Sequence, residues 1–276
     1  MKTVLVIGLG EVGTALFEII TESNKYNVYG YDPLVNSTPM IPNNIDIMHI
    51  CFPFNKFNFM ASIIQYVRLY NPKLLIINST VEPATTETIS TLCKCKVAFS
   101  SVFGTHRGKE YFKEEIKYYG KFVGGVTAKA TKLTMEHFNS IGISTIATKS
   151  SLEAEILKIY CTTYYGVLIA TSQEFHRISR SLGADFEDIT KGICYLHTKG
   201  FNKPPVYPDA IGGHCVIPNV NIIGNFYDSD LFNALLKSND KRKDELKIPE
   251  IKNEMEKIKT NVNKFWREYN DKNREK

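Results

Sequence analysis

Apolar residues follow two rhythms along this chain, and the change falls near residue 150. Before it, short β-branched runs alternate with longer helical stretches. Val4-Leu5-Val6-Ile7 is continuous and apolar, as a strand buried on both faces of a parallel sheet should be. Residues 14–20 read as a helix and Tyr26–Tyr31 as a second strand. Further strands are expected over residues 45–51, Leu74–Ile77 and Lys96–Phe99, with a helix over 57–70 between them. Such alternation predicts βαβ units, and so an α/β fold with a doubly wound parallel sheet.

Beyond residue 150 the period becomes helical. Ser150-x-x-Glu153 is a capping-box pattern, and neither Pro nor Gly follows until Gly166. Ile156, Leu157, Tyr160, Tyr164, Val167 and Leu168 recur at helical spacing. One long central helix is expected to reach Leu182, where Gly183 supplies a stop. It would form the spine of a helical domain or a subunit interface. Residues 199–218, rich in Pro and Gly, read as a loop. In the tail, Ile248, Ile251, Met255, Ile258, Val262, Phe265 and Tyr269 mark an amphipathic helix with Pro249 in its first turn. Its stripe must cover either this subunit or a neighbouring chain. The expected domains are 1–149, 150–236 and a charged C-terminal helix over 237–276.

A length of 276 residues, 43% of them hydrophobic and 23% charged, suits a globular chain able to bury a core. No apolar run is long enough to span a bilayer, and Met1-Lys2-Thr3 passes directly into a strand rather than a signal peptide. A cytoplasmic protein that engages no membrane is expected. Residues 237–276 hold 13 Lys/Arg against 9 Asp/Glu, which is most of the net charge of +5. The acidic residues are interleaved, so a solvated helix face is expected rather than a nucleic-acid surface. Of the six cysteines only Cys93 and Cys95 lie close together, as C-x-C, and no second pair completes a metal site. Most therefore read as small buried hydrophobes.

Gly8-Leu9-Gly10-Glu11-Val12-Gly13 lies between the first strand and the first helix, with Asp32 ending the second strand. G-x-G-x-x-G in that setting is a dinucleotide-binding fingerprint of the Rossmann type. Gly8 makes the turn, Gly10 admits a pyrophosphate, and Gly13 lets helix and strand pack closely. Asp32 can accept hydrogen bonds from ribose hydroxyls, and no Arg beside it would receive a 2′-phosphate, so NAD is favoured over NADP. A plain glycine turn with a capping Asp is the alternative.

Gly212-Gly213-His214-Cys215 ends the Pro-rich loop, and two glycines before a cysteine free the backbone to bring the thiol to a ligand. A structural turn with a buried cysteine is the other reading. Taken with the glycine turn, Asn78-Ser79-Thr80-Val81-Glu82-Pro83 and Glu155-Ile156-Leu157-Lys158, this loop makes residues 1–220 resemble the UDP-glucose/GDP-mannose (nucleotide-sugar) dehydrogenase family. That resemblance implies oxidation of a primary alcohol to a carboxylate in two hydride transfers to NAD. It makes Cys215 the covalent nucleophile and Lys158 the cation for a developing oxyanion. Thr80 would position a water or a substrate oxygen. Pro53 and Ser79, with Glu11 and Val12 of the turn, are assigned to the cofactor. A homodimer through the long helix and a sugar or sugar-nucleotide substrate are likewise implied.

The chain also departs from the family. Thr162 stands where the family has Asn, and Asn219 where it has an Asp thought to activate water. An amide cannot accept a proton as a carboxylate does. After the S-T-V strand, Ser101-Val102-Phe103-Gly104-Thr105-His106-Arg107 replaces a glutamate-bearing loop; His106, Arg107 and His214 are candidates to face the substrate. Only 61 residues follow Cys215, so the resemblance implies a truncated member without the family's third, nucleotide-gripping domain. Two rival readings are a two-electron β-hydroxyacid-type dehydrogenase, which uses no cysteine, and a non-catalytic NAD-binding protein.

Overall fold

The computed structural model describes residues 1–35, 40–104, 108–212 and 215–274, apart from the side chains of residues 109 and 271–274. Two compact units follow one another along the chain, Met1–Ile159 and Tyr160–Lys276. Among the described residues no helix is long and apolar enough to cross a membrane.

The first unit is built on a seven-stranded sheet. In chain order its elements are β1 (Lys2–Ile7), α1 (Glu11–Glu22), β2 (Tyr26–Tyr31), β3 (Ile47–Ile50), α2 (Phe59–Tyr70), β4 (Leu74–Ile77), α3 (Thr85–Leu92), β5 (Lys96–Phe99), α4 (Lys109–Tyr119), β6 (Lys121–Gly125), α5 (Ala128–Ser140) and β7 (Thr145–Ala147). The strand order is β2-β1-β3-β4-β5-β6-β7. Strands β1 to β5 pair in parallel, with Val4 beside Val28 and Ile47. Successive side chains of a strand point to opposite faces, and both faces are covered here. Val4, Val6, Ile47 and Ile76 pack with Leu16, Ile19 and Ile20 of α1 and Phe138 of α5. Leu5, Ile7, Met48 and Leu75 pack with Phe59 and Ile63 of α2 and Ile89 of α3. Two-sided burial is why these strands read as unbroken apolar runs.

The doubly wound, mostly parallel sheet expected from the sequence is present, with one antiparallel pairing. β6 runs antiparallel to β5, with Ala98 opposite Gly125, and β7 then pairs parallel with β6. The sequence disguises β6. It opens on Lys121, a cation only 1% exposed, and ends in Gly124-Gly125, where added side chains would strike Ser150 O and Thr131 N. The Lys121 ammonium is held by Asn78 Oδ1 at 3.1 Å and Ser100 O at 2.8 Å.

Helix α6 (Ser151–Ser181) begins in the first unit and continues in the second. Its capping box is formed: the Ser150 N–H donates to Glu153 Oε2 at 2.7 Å and the Leu152 N–H to Ser150 Oγ at 3.1 Å. There follow α7 (Phe186–Thr198), α8 (Val216–Phe226), α9 (Asp230–Glu245) and α10 (Pro249–Arg274). The loop expected over 199–218 ends at Cys215, because Pro218 lies in the first turn of α8, where its missing N–H costs no helix bond. The stripe of α10 covers its own chain: Ile251, Met255, Ile258 and Val262 bury themselves with Phe186 of α7.

The charged tail is not merely a solvated face. Arg242 of α9 is fully buried, donates to Gln173 O at 3.2 Å and to His176 Nδ1 at 3.1 Å, and forms an ion pair with Glu245 Oε2 at 3.2 Å. The expectation for the cysteines is also corrected. Cys161 lies exposed on α6, and the other five thiol residues are half-buried.

Candidate cofactor and cysteine sites

The carboxyl ends of the parallel strands gather the residues assigned to a dinucleotide. The chain leaves β1 for β2 on one side and returns to β3 on the other, so the strand order reverses at β1. Open α/β sheets bind ligands at such a switch point. The glycine turn leaves the end of β1, Asp32 the end of β2, Pro53 lies just past β3, and Ser79 and Thr80 just past β4.

Each glycine of the turn meets different surroundings. Gly8 has φ +89°, and a Cβ there would lie 2.7 Å from Phe52 N. A Cβ on Gly13 would fall 1.7 Å from Gly8 O, so α1 can pack on the turn only without one. Around Gly10 nothing lies within 4 Å of that position. Gly10 is also the N-cap of α1 and has no side chain to cap it. Free N–H groups and the positive end of the helix dipole there suit a pyrophosphate. Glu11 is exposed and Val12 half-buried beside it. The set fits a dinucleotide: an open approach at Gly10, an uncapped helix start and a carboxylate at the end of β2.

Asp32 does something the sequence did not reveal. Its Oδ2 accepts the Leu9 N–H at 2.7 Å and its Oδ1 the Leu34 N–H at 2.9 Å, tying the glycine turn to the segment after β2. A carboxylate has about four lone-pair sites, and the staple uses two of them.

At the end of β4, Ser79 Oγ donates to Phe52 O at 2.6 Å and so joins the loops after β3 and β4. Thr80 is half-buried. Pro53 is exposed. Asn78 faces inward: it takes the Lys121 ammonium on Oδ1 and donates through Nδ2 to His49 Nδ1 at 3.1 Å, while His49 Nε2 lies 3.0 Å from His137 Nε2. Because Asn78 donates to Nδ1, the His49 proton sits on Nε2 and points at His137. Burial holds both histidines below their usual range, and brings Lys121 down to about 7.

The motif on α6 splits into two tasks. Lys158 Nζ donates to Val102 O at 2.8 Å and lies 5.2 Å from the centre of the Phe103 ring, so it faces the loop after β5 rather than open solvent. Glu155 of the same motif has a structural task. It is fully buried and caps α3, accepting the N–H groups of Ala84 at 2.7 Å and Thr86 at 2.8 Å. Burial raises its carboxyl above the usual range, opposed by those hydrogen bonds.

In the second unit Cys215 is half-buried and occupies the N-cap of the eleven-residue α8. The positive end of a helix favours negative charge at that place. One turn on, Asn219 is buried, and its Nδ2 donates to Thr162 Oγ1 at 2.8 Å. The two departures from the family pattern therefore touch each other. Gly166 of α6 makes room for this corner, since a Cβ there would lie 2.6 Å from Val216 Cγ1.

The loop before Cys215 is anchored by residues the sequence did not single out. Asn239 of α9 accepts the Ile211 N–H at 2.7 Å and returns a bond to Ile211 O at 3.4 Å. Gln173 donates to Asp209 O at 2.8 Å, and Trp266 of α10 to Pro205 O at 2.9 Å. Their signal was weak, because polar residues on a charged helix look like surface. His106, Arg107 and His214, together with Gly213, lie outside the described residues.

A parallel sheet with a glycine turn at its switch point, joined to a helical unit with a cysteine at a helix N-terminus, defines the class as a Rossmann-type dehydrogenase fold. Residues 152–241 match the central domain of the UDP-glucose/GDP-mannose dehydrogenase family. It is 28% identical over 157 residues, or 56% of its length, to a UDP-N-acetyl-D-mannosamine dehydrogenase of Methanococcus vannielii. That match takes in 35% of the relative, so the chain spans about a third of the curated relatives' length. The Pyrococcus horikoshii UDP-N-acetyl-D-mannosamine dehydrogenase structure superposes with a TM-score of 0.72 at 20% identity, over 87% of this chain and 68% of that one. The 3-hydroxyisobutyrate dehydrogenase of Mycobacterium tuberculosis shares the fold at a TM-score of 0.61 and 13% identity, over 89% of this chain and 94% of that one.

Proposed function

We propose that the protein is an NAD-dependent dehydrogenase that oxidises a primary alcohol of a sugar or sugar nucleotide, with Cys215 as covalent nucleophile. The observation that carries this reading is Cys215 itself: a half-buried thiol at a helix N-terminus, on a loop whose backbone Asn239 holds from both sides.

NAD, held by the Gly8–Gly13 turn, Asp32, Pro53 and Ser79, accepts hydride when bound. The chain's own residues supply the rest. An aldehyde lacks the tetrahedral carbon from which hydride leaves readily. Addition of the Cys215 sulfur to its carbonyl carbon restores that geometry as a thiohemiacetal, and the second oxidation leaves a thioester on Cys215. Lys158 is the cation for the developing oxyanion, and Thr80 orients a water or a substrate oxygen. Hydrolysis then transfers the acyl group to water and frees the thiol. At this step the Asn219–Thr162 pair offers an amide and a hydroxyl where the family has a carboxylate. Thioester release is therefore the slow step.

The chain acts as a cytoplasmic homodimer in this reading, which the exposed apolar residues of α6, Tyr160, Tyr164, Phe175 and Ile178, support. Slow release makes the covalent state observable. After one turnover with NAD and substrate, intact-mass analysis should find an acyl adduct on Cys215 that hydroxylamine removes. NADH formation with no adduct at any time would contradict the proposal. It would favour the two-electron reading, which needs neither Cys215 nor a carboxylate at position 219.

A further inference from the structure

Cys93 and Cys95 stand apart from everything assigned above. They close α3 and precede β5, at the amino edge of the sheet, whereas the cofactor residues occupy its carboxyl edge. The bend between α3 and β5 turns both side chains the same way, and Cys95 Sγ donates to Cys93 Sγ at 3.4 Å. Cys93 Sγ in turn lies 3.3 Å from Ile89 O. Both residues are half-buried, packed on one side against the core around Ile89 and open on the other. Lys94 lies between the two cysteines and Lys96 follows them. Two buried hydrophobes would have no reason to point their sulfur atoms at each other.

We propose that Cys93 and Cys95 form a redox-active dithiol, chemically independent of Cys215, which a low-molecular-weight disulfide oxidises to an internal disulfide. Sulfur atoms at 3.4 Å must close to a bond of about 2 Å. The first proton leaves readily because the Cys95 thiol stabilises the Cys93 thiolate by hydrogen bonding, which brings Cys93 down to about 7. The second is held, since losing it would set two anions side by side, and Cys95 is pushed well up.

The steps balance. The Cys93 thiolate attacks one sulfur of the small disulfide, and one thiolate departs. Cys95 gives its proton to solvent and attacks the Cys93 sulfur, expelling the second thiolate. Two electrons pass from the protein dithiol to the small disulfide, which ends as two thiols.

Glutathione disulfide is the probe. The full chain is equilibrated with it at neutral pH, quenched by alkylation and mapped by mass spectrometry. The peptide holding both cysteines should lose two hydrogens, about 2 Da, and carry no glutathione. Cys95→Ser should stop at a glutathione adduct on Cys93, because the resolving thiol is gone. In the unaltered chain, the rate of Cys93 alkylation should level off above about pH 7. In Cys95→Ser it should keep rising toward about pH 8.5, the range of an ordinary thiol. Full alkylation of both thiols after equilibration, or a glutathione adduct that persists in the unaltered chain, would overturn the proposal.

Discussion

Gly10 and Gly13 share one turn, yet the spaces beside them have opposite meanings. Among the described residues nothing occupies the volume a Cβ would take on Gly10, whereas on Gly13 it would meet Gly8 O at 1.7 Å. Gly10→Val should therefore leave thermal stability within about 0.5 kcal/mol while abolishing NAD binding, because the lost space is the ligand's. Gly13→Ala should cost about 3 kcal/mol or more by overpacking against backbone. Calorimetric titration with NAD beside thermal melts checks both; equal effects of the two variants on stability would count against a pyrophosphate at Gly10. The fingerprint was legible as a motif, but the Asp32 staple to Leu9 was not, because a hydrogen bond across 23 residues leaves no local pattern.

Among the elements, those with a clean period were readable and those with buried polar groups were not. β1, β2, β4, β5, α6 and α10 appear where the apolar rhythm put them. β6 was hidden by Lys121 and its glycines, and α9 by Ser238, Asn239 and Arg242, polar residues that are buried in the fold. A binary pattern treats such residues as surface. Asn239 shows what this conceals, since its two bonds to Ile211 fix the approach to Cys215. Asn239→Ala should lose about 1–3 kcal/mol of stability by orphaning a buried N–H. It should also lower NADH formation by roughly tenfold or more through misplacement of the thiol. Asn239→Asp, which can still accept the Ile211 N–H, should recover much of both. If Asn239→Ala melts earlier but keeps full activity, Asn239 is structural only.

In the first unit, burial of Lys121 and His137 makes stability depend on pH. In the fold Lys121 titrates at about 7 against 10.5 for an ordinary lysine, and His137 at about 3 against 6.5. Burial dominates both shifts. The folded state thus binds fewer protons than the unfolded chain. Lys121 exacts nothing above pH 10.5; its penalty grows as the pH falls toward 7 and is constant below. That of His137 grows from pH 6.5 toward 3. Each window costs at most about 1.4 kcal/mol per pH unit. Denaturant melts should show stability declining from pH 10 to 7, and Lys121→Met should flatten that segment. An unchanged slope in the variant would place the titration elsewhere.

In the proposed reaction Cys215 holds the substrate between two oxidations. The most direct test is the amount of NADH formed per substrate consumed, measured across nucleotide sugars and simpler sugar alcohols for the unaltered chain and Cys215→Ala. Two NADH per substrate, lost in Cys215→Ala, is the predicted result. One NADH per substrate, indifferent to the substitution, would contradict it and make Cys215 a bystander.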